Sequence, residues 1–276
     1  MVIAALLQDS FSNSALMSPM SELQGAVCAF KASLIAALLL TTIACGRFAQ
    51  IETSSTESTG KTPAPTQSAP LTWSDITDSY DRIQTYQCLY EKEERAISNG
   101  EKQTIRVSFR KPFNVRLDWL GEGGKIDQTA VYRQGLNDGK VLARQHGLLG
   151  AIAGTLRLDP NEKLALSDSA HPITEMGIGL IIDRARRDIA SGNISLTLAG
   201  EEILLGRSAY RFEFTARKNE GVAGLADARR AVIWIDREMK LPIKVEIYDG
   251  RNTLLERHSF LDLRLNVSLP DKTFTL

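Results

Sequence analysis

The sequence predicts an α+β fold, a single domain with one long, curved antiparallel sheet and a few helices. Many short segments alternate apolar and polar residues and are separated by turn residues, which is typical of antiparallel strands. Two segments instead carry apolar residues at helical spacing. The chain has no internal repeat and no second periodic class, so one sheet in one domain accounts for the pattern.

The first predicted element is a helix in "SDITDSYDRIQTY", with Ser74 or Asp75 as its N-cap. Turn sequences such as "SNGE", "KPF", "GEGG" and "GLNDG" separate the strands that follow. The predicted strands before the middle of the chain are Tyr86–Ile97, Thr104–Arg110, Phe113–Trp119, Thr129–Arg133 and Lys140–Gln145. Those after it are Ile194–Leu198, Glu202–Leu205, Ala209–Ala216 and Thr253–Leu261, together with a hairpin.

The middle of the chain changes character. "GLLGAIAGTLRL" is rich in glycine and small apolar residues, and we interpret it either as a mobile flap at a cavity mouth or as a buried connection. "HPITEMGIGLIIDRARRDIAS" predicts a helix that Pro172 begins, with isoleucines along one side. Its Glu175 lies in the first turn and is interpreted as a helix-capping charge.

The hairpin "VIWIDREMKLPIKVEIYDG" is the clearest strand pair. Pro242 cannot donate a ladder hydrogen bond, so it should begin the second strand. One face of the hairpin is apolar and must be covered. The alternation predicts that Ile243, Val245 and Ile247 point to the concave side of the sheet with Trp234 near them, while Lys244 and Glu246 face solvent.

Composition excludes one class of partner. Hydrophobic residues make up 43% of the chain and charged residues 24%, as in an ordinary globular protein. The 33 basic and 33 acidic residues cancel, and no basic block is present. No nucleic-acid partner is therefore expected.

The N-terminal segment, residues 1–45, predicts an export signal whose start is Met1, Met17 or Met20. Its apolar run "ASLIAALLLTTIA" is too short to span a bilayer comfortably but suits a signal peptide. Cys45 follows at once, where a bacterial lipoprotein carries its acylated cysteine. Two outcomes stay open: a membrane anchor through Cys45, or soluble secretion into the periplasm after cleavage at Ala44.

Residues 46–70 are rich in Ser, Thr and Pro and carry few bulky apolar side chains. Such a segment cannot bury enough surface to fold, so it predicts a disordered linker. The folded domain is then expected over residues 71–276.

Sequence motifs for catalysis are missing. There is no G-x-S-x-G, no H-E-x-x-H, no G-K-[ST] phosphate loop, and no Cys or His pair at metal spacing. His146, His171 and His258 are scattered, and the charges around Lys92 and Glu94 are interpreted as a solvated strand face. We therefore expect no enzyme activity, no metal and no cofactor.

Several segments carry a family resemblance: "YQCLYEKEER", "FRKPFNVRLDWL", "HPITEMGIGLII" and "WIDREMKLPIKVEIYDG" with the tail that follows. From about Tyr86 to Phe274 the chain resembles a bacterial family catalogued as domain of unknown function 1571. In fold, that family is similar to the periplasmic lipoprotein carriers LolA and LolB. The resemblance implies an open half-barrel with helices packed on its concave face, which shelters acyl chains.

Together these observations predict a cell-envelope protein that binds an acyl chain, a lipid or a lipoprotein in an apolar cavity without catalysis. The alternative is a tethered structural or interaction domain without a ligand, whose own helix fills the concave face. The residues expected to line the cavity are Phe113, Val115, Leu117, Trp119, Trp234, Val245, Ile247, Ile178 and Ile182.

Overall fold

The computed structural model describes residues 71–98, 100–217 and 221–276. The predicted signal region, Cys45 and the linker lie outside these residues, so their predictions stay untested. The strands are β1 (Thr85–Glu94), β2 (Gln103–Arg110), β3 (Asn114–Leu120), β4 (Ile126–Arg133), β5 (Val141–Gln145), β6 (Leu156–Leu158), β7 (Ile194–Leu204), β8 (Arg207–Ala216), β9 (Ala228–Asp236), β10 (Pro242–Asp249) and β11 (Leu254–Leu265).

All of these strands form one antiparallel sheet of 11 strands that does not close on itself. Its order is β6-β5-β4-β3-β2-β1-β11-β10-β9-β8-β7. Consecutive strands therefore pair with each other, except that β6 and β7 lie at opposite edges of the sheet, and β1 pairs with β11 at the centre. Along the sequence the sheet consists of two meanders joined at that seam.

The α-helices are α1 (Trp73–Asp81), α2 (Arg95–Ser98), α3 (Gly147–Ala153) and α4 (Ile178–Ser191). Helix α1 begins two or three residues earlier than predicted, because Thr72 is its N-cap. The Asp75 backbone N–H donates to Thr72 Oγ1, and the Thr72 backbone N–H donates to the Asp75 carboxylate, which forms a capping box. Trp73 packs edge-on against Phe214, 5.5 Å between ring centres, and fixes α1 to the sheet.

Helix α4 begins at Ile178, whereas Pro172 was predicted to begin it. Pro172 instead precedes a short 3-10 turn, Ile173–Glu175, and Gly177 then breaks the helical path with a φ of 97°. A Cβ at Gly177 would lie 2.6 Å from the hydroxyl oxygen of Tyr86. Glycine is therefore required both by the backbone angle and by the close approach of the tyrosine.

The main hydrophobic core lies on one face of the sheet and includes Ile178, Ile182 and Ala185 of α4. Cys88 of β1 belongs to this core, and its burial raises the pKa of the thiol to about 12. The opposite face carries two smaller clusters. One of them consists of Val131, Leu269 and Phe274, and the last of these residues belongs to a 3-10 turn, Asp271–Phe274.

The other small cluster corrects the prediction for the hairpin. Trp234 packs there with Val232 and Ile243, on the face opposite to Ile233 and Val245. Residues that alternate along β9 point to opposite faces, and Ile233 takes the core side. Trp234 is therefore not beside the main core, and its ring instead lies 4.7 Å below the Lys244 ammonium group.

A β-bulge explains why Ile243 leaves the face of Val245 and Ile247. Pro242 pairs with Ile235, yet Lys244 already pairs with Trp234, so Ile243 is an extra residue in β10. The inserted residue shifts the alternation, which a strict period of two could not predict. Glu246 also departs from its prediction: it is buried, because Lys244, Tyr248 and Arg257 all contact its carboxylate.

Two further differences concern strand limits. The predicted strands Ile194–Leu198 and Glu202–Leu205 are one strand, β7, interrupted by a bulge at Ala199. The short strand β6 arises inside "GLLGAIAGTLRL", where no strand was expected, and helix α3 occupies the earlier half of that segment. Neither its mobility nor its role as a flap is tested by these positions.

Candidate functional site: an apolar cavity with a polar wall

A cavity of about 130 Å³ lies between the core face of the sheet and the segment 160–188, which includes most of α4. Its walls are mainly apolar. The sheet contributes Tyr90, Lys92, Glu94, Ile105, Leu117, Trp119, Gln128, Ala130, Val141, Ala143, Leu158, Phe214, Ala231, Ile233, Val245, Ile247, His258 and Phe260. The facing segments contribute Pro160, Leu164, Ala165, Asp168, Ser169, His171, Pro172, Ile173, Glu175, Met176, Gly177, Leu180, Ile181, Arg184, Ala185, Asp188 and Ala223.

The strand register explains how residues far apart in sequence reach one cavity. Leu117 pairs with Ala130, which in turn pairs with Ala143, so three neighbouring strands present a row of apolar side chains. A second row crosses the central seam: Phe260 pairs with Tyr90, which pairs with Ile105. Small alanines within the first row leave the space that larger side chains would fill.

One wall of the cavity is a chain of buried hydrogen bonds. The Tyr90 hydroxyl group lies 2.7 Å from His258 Nδ1, and His258 Nε2 lies 3.0 Å from Glu256 Oε2. The other oxygen of Glu256, Oε1, is hydrogen-bonded to His171 Nε2 at 3.0 Å. Because Glu256 is on β11 and His171 precedes α4, this carboxylate ties the segment that leads into α4 to the sheet.

A second buried pair ties the same segment to β1. Lys92 Nζ lies 3.1 Å from Glu94 Oε2 and donates to the backbone oxygen of Asp168 at 2.7 Å. The backbone N–H of Ala170 donates to Glu94 Oε2 at 2.9 Å. Both Lys92 and Glu94 are about 4% exposed, so removal of either partner would leave a buried charge.

Burial and neighbours shift the ionisation of this wall in opposite directions. Burial of Glu256 disfavours its charged form, but the hydrogen bonds and charges of His171 and His258 outweigh burial, and its pKa falls well below 4.5. Burial lowers the pKa of Lys92, against the opposing effect of Glu94. Burial raises the pKa of Tyr90 well above 10.0. Tyr90 is therefore a neutral hydrogen-bonding group at physiological pH.

The structure brings part of the predicted set of site residues to the cavity. Leu117, Trp119, Val245 and Ile247 line it. The others do not: Val115, Ile178 and Ile182 are filled core positions, Phe113 packs on Phe109 and Tyr132, and Trp234 lies on the opposite face of the sheet. Whether any of these residues contacts a ligand stays a prediction.

The polar wall was not predicted from the sequence, because Lys92 and Glu94 were expected on a solvated face and His171 and His258 were interpreted as scattered residues. A signal was present. In β1, Tyr86, Cys88 and Tyr90 are buried at alternate positions, and the same alternation places Lys92 and Glu94 inside. In the charged part of β1, Glu91 and Glu93 face outwards, where they pair with Lys102 and Arg257.

The prediction for Glu175 was also incomplete. Its carboxylate lies in the 3-10 turn and pairs with Arg184 of α4 at 3.0 Å, so it does not cap α4. His171, four residues before Glu175, pairs with Glu256 of β11.

Among the residues that the structure describes, no group of three or more His, Cys, Asp and Glu side chains is arranged to hold a metal ion. Over the same residues, no helix combines the length and the apolar character needed to cross a membrane.

A family described as "Protein of unknown function (DUF1571)" matches residues 83–276. Among curated proteins, no sequence matches the chain. Solved structures with a similar fold include MucB, with a TM-score of 0.45 and 21% identity, where the match covers 74% of this chain and 61% of MucB. The chain thus spans less than two thirds of the MucB chain.

Two further solved structures of bacterial proteins are similar in fold. The lipoprotein LppX of Mycobacterium tuberculosis has a TM-score of 0.42 and 12% identity, over 71% of this chain and 93% of LppX. A LolA superfamily protein of Nitrosomonas europaea has a TM-score of 0.30 and 12% identity, over 75% of this chain and 99% of that protein.

Proposed function

The chain belongs to the DUF1571 family, and from its cavity we propose that it is a non-catalytic protein of the cell envelope that binds the acyl chain of a lipid or lipoprotein. The observation that carries the proposal is the cavity of about 130 Å³, lined on several strands by apolar side chains. An acyl chain needs no hydrogen-bond partner, and each buried methylene contributes about 0.8 kcal/mol. Apolar walls with few polar groups therefore suit it.

The size of the cavity limits how much of a chain it holds. An apolar cavity of about 150 Å³ in another protein binds benzene, so the present cavity of about 130 Å³ accommodates a group of similar size. We propose that it receives the end of an acyl chain. A longer stretch requires that the segment leading into α4 move away from the sheet.

We further propose that the sheet is curved into an open half-barrel, with α4 on the concave face. Leu158 of β6 and Phe214 of β8 support this, because they line the same cavity although their strands stand first and tenth in the sheet order. In a flat sheet with strands about 4.8 Å apart, nine spacings would separate them by roughly 43 Å. A small cavity can contact both only if the sheet bends around it.

The proposal includes export to the cell envelope. It rests on the apolar run before Cys45, which lies outside the described residues. Anchoring through Cys45 and soluble secretion into the periplasm are the two forms of this proposal.

Replacement of two buried alanines by leucine, one at a time, tests acyl binding. Ala130 lines the cavity, whereas Ala209 is buried in the cluster on the opposite face. We expect Ala130→Leu to fill the cavity, to abolish binding of the neutral apolar dye N-phenyl-1-naphthylamine, and to cost less than about 1 kcal/mol of stability. Ala209→Leu should keep dye binding and lose about 1–3 kcal/mol through overpacking.

Native mass spectrometry of the protein from its own envelope gives an independent readout, since a bound lipid adds its mass. Absence of dye binding by the unmodified protein, together with a bare mass, would contradict the proposal.

The second candidate is a tethered interaction domain without a ligand. Its support is β7, an edge strand of the described sheet on which Leu196, Leu198 and Ile203 are exposed, Ile203 to 72%. Long apolar edge strands can pair with another chain. A protein that binds no dye or lipid but captures a partner through this edge would favour the second candidate, and Ile203→Lys should then abolish the capture.

A further inference from the structure

The charged side chains around the cavity are not balanced. Apart from the two histidines of the polar wall, two basic residues line it, Lys92 and Arg184, and each already faces a carboxylate. Lys92 Nζ lies 3.1 Å from Glu94 Oε2, and Arg184 Nη2 lies 3.0 Å from Glu175 Oε2. Both cations are thus neutralised by the protein itself.

Two other carboxylates line the same cavity, those of Asp168 and Asp188. Within the described part of the chain, neither forms an ion pair. Asp188 is half-buried and accepts one hydrogen bond, from the backbone N–H of Ala223 at 2.8 Å. Burial raises its pKa, which indicates that water is partly excluded around this carboxylate.

We infer that the ligand of this cavity carries no negative charge: the site accepts an acyl or alkyl chain whose polar end is uncharged or cationic, and it discriminates against free fatty-acid carboxylates and phosphate head groups. This inference rests on the proposed function and specifies its ligand class. An anionic head would lose water of hydration without meeting an unpaired cation among the described lining residues. Asp168 and Asp188 would repel it as well.

The polar wall supports the same conclusion. Glu256 adds a further carboxylate behind the cavity surface, and both histidines of this wall already hydrogen-bond to it. The hydroxyl group of Tyr90 and the imidazole of His171 can still exchange hydrogen bonds with an ester, amide or hydroxyl group. An uncharged head is thus compatible with every group on this wall.

The test uses three ligands with the same chain and different heads: decanol, decylamine and decanoate. Each competes with N-phenyl-1-naphthylamine for the purified full chain at neutral pH, where decanoate is ionised. We expect decanol and decylamine to displace the dye, and decanoate to need about tenfold higher concentration or more.

Matched variants locate the cause. Asp188→Asn removes the charge while its amide oxygen can still accept from Ala223, so we expect the disadvantage of decanoate to shrink about threefold or more. Asp183→Asn makes the same change on the same helix at an exposed position outside the cavity lining, and it should leave the ranking unchanged.

The outcomes separate the two proposals. Equal competition by decanoate and decanol would overturn the inference about charge while acyl binding stands. An unchanged ranking in Asp188→Asn would also overturn it, since the discrimination would then have another origin. If neither the dye nor any of the three ligands binds, acyl binding itself is wrong.

Discussion

His171 and Glu256 lie 3.0 Å apart, although 84 residues separate them in the chain, and their contact joins the segment before α4 to strand β11. Glu256 also accepts from His258, so one buried carboxylate holds two histidines from two parts of the fold. The wall of the cavity therefore depends on this group.

The first prediction concerns Glu256→Gln. The amide of glutamine offers one neutral acceptor oxygen, whereas the carboxylate offers two charged oxygens to the two histidines. We therefore expect the free energy of unfolding, measured with urea, to fall by about 1–3 kcal/mol. Hydrogen exchange of the backbone around His171 should speed up, because the segment loses its bond to β11. The exposed Glu175→Gln, in the adjoining turn, should change stability by less than about 0.5 kcal/mol. Equal effects of the two variants would contradict a special role for Glu256.

The second prediction is a dependence on pH with opposite signs at two carboxylates. The pKa of Glu256 is below 4.5 in the folded state, so its stabilisation is present above pH 4.5 and is lost as pH falls below that value. The pKa of Asp188 is raised above 3.8, so its folded-state penalty disappears as pH falls toward 3.8. Urea unfolding over a pH series, followed by tryptophan fluorescence, measures both.

The comparison with variants isolates each group. The stability difference between the unmodified protein and Glu256→Gln should shrink with acidification. The unmodified protein should gain stability relative to Asp188→Asn over the same range. Parallel curves for all three proteins would contradict both pKa directions.

The third prediction separates backbone strain from crowding at two glycines. Gly177 has a φ of 97° and lies against the Tyr86 hydroxyl group, whereas Gly192 has a φ of 69° with nothing near its missing Cβ. We expect Gly192→Ala to cost about 1 kcal/mol and Gly177→Ala about 3 kcal/mol. In a Tyr86→Phe background the cost of Gly177→Ala should fall. Thermal unfolding of Gly192→Ala, Gly177→Ala, Tyr86→Phe and the double variant measures these costs. Identical costs in both backgrounds would show that the hydroxyl contact is unimportant.

The fourth prediction tests the anchor. If Cys45 is the acylated first residue of the mature protein, Cys45→Ala should move the protein from the membrane fraction to the soluble fraction and lower its mass by that of the lipid. Cys88→Ala is the control, because Cys88 is buried in the core and should not affect partition. If Cys45→Ala changes neither partition nor mass, the anchor is absent and soluble secretion remains.

The sequence predicted most strands well, because alternation of apolar residues is a direct consequence of strand geometry. It failed where one extra residue changes the alternation. The bulge at Ile243 gives no signal in composition, and it moves that side chain to the other face. Which face of β9 meets the main core was equally undetermined, so Trp234 was assigned to the wrong side.

The polar wall was missed for a different reason. Charged residues in strands usually face solvent, and Lys92 and Glu94 are exceptions that become stable only through partners brought by the fold. Their partners, Asp168 and Ala170, belong to a segment without periodicity. Pairing between distant segments cannot be read from one sequence, although the alternation from Tyr86 to Glu94 indicated the direction of the side chains.

The seam between β1 and β11 has a consequence for how the domain is assembled during synthesis. Each meander on either side of it can form from local hairpins. The seam itself can form only after β11 has been synthesised, because it pairs β1 with β11, and its formation costs the entropy of closing a long loop. Tyr90 and Phe260 face each other across this seam and both line the cavity. A nascent or partly unfolded chain therefore lacks the complete cavity, and any ligand that bound only the finished domain would favour closure of the seam by mass action.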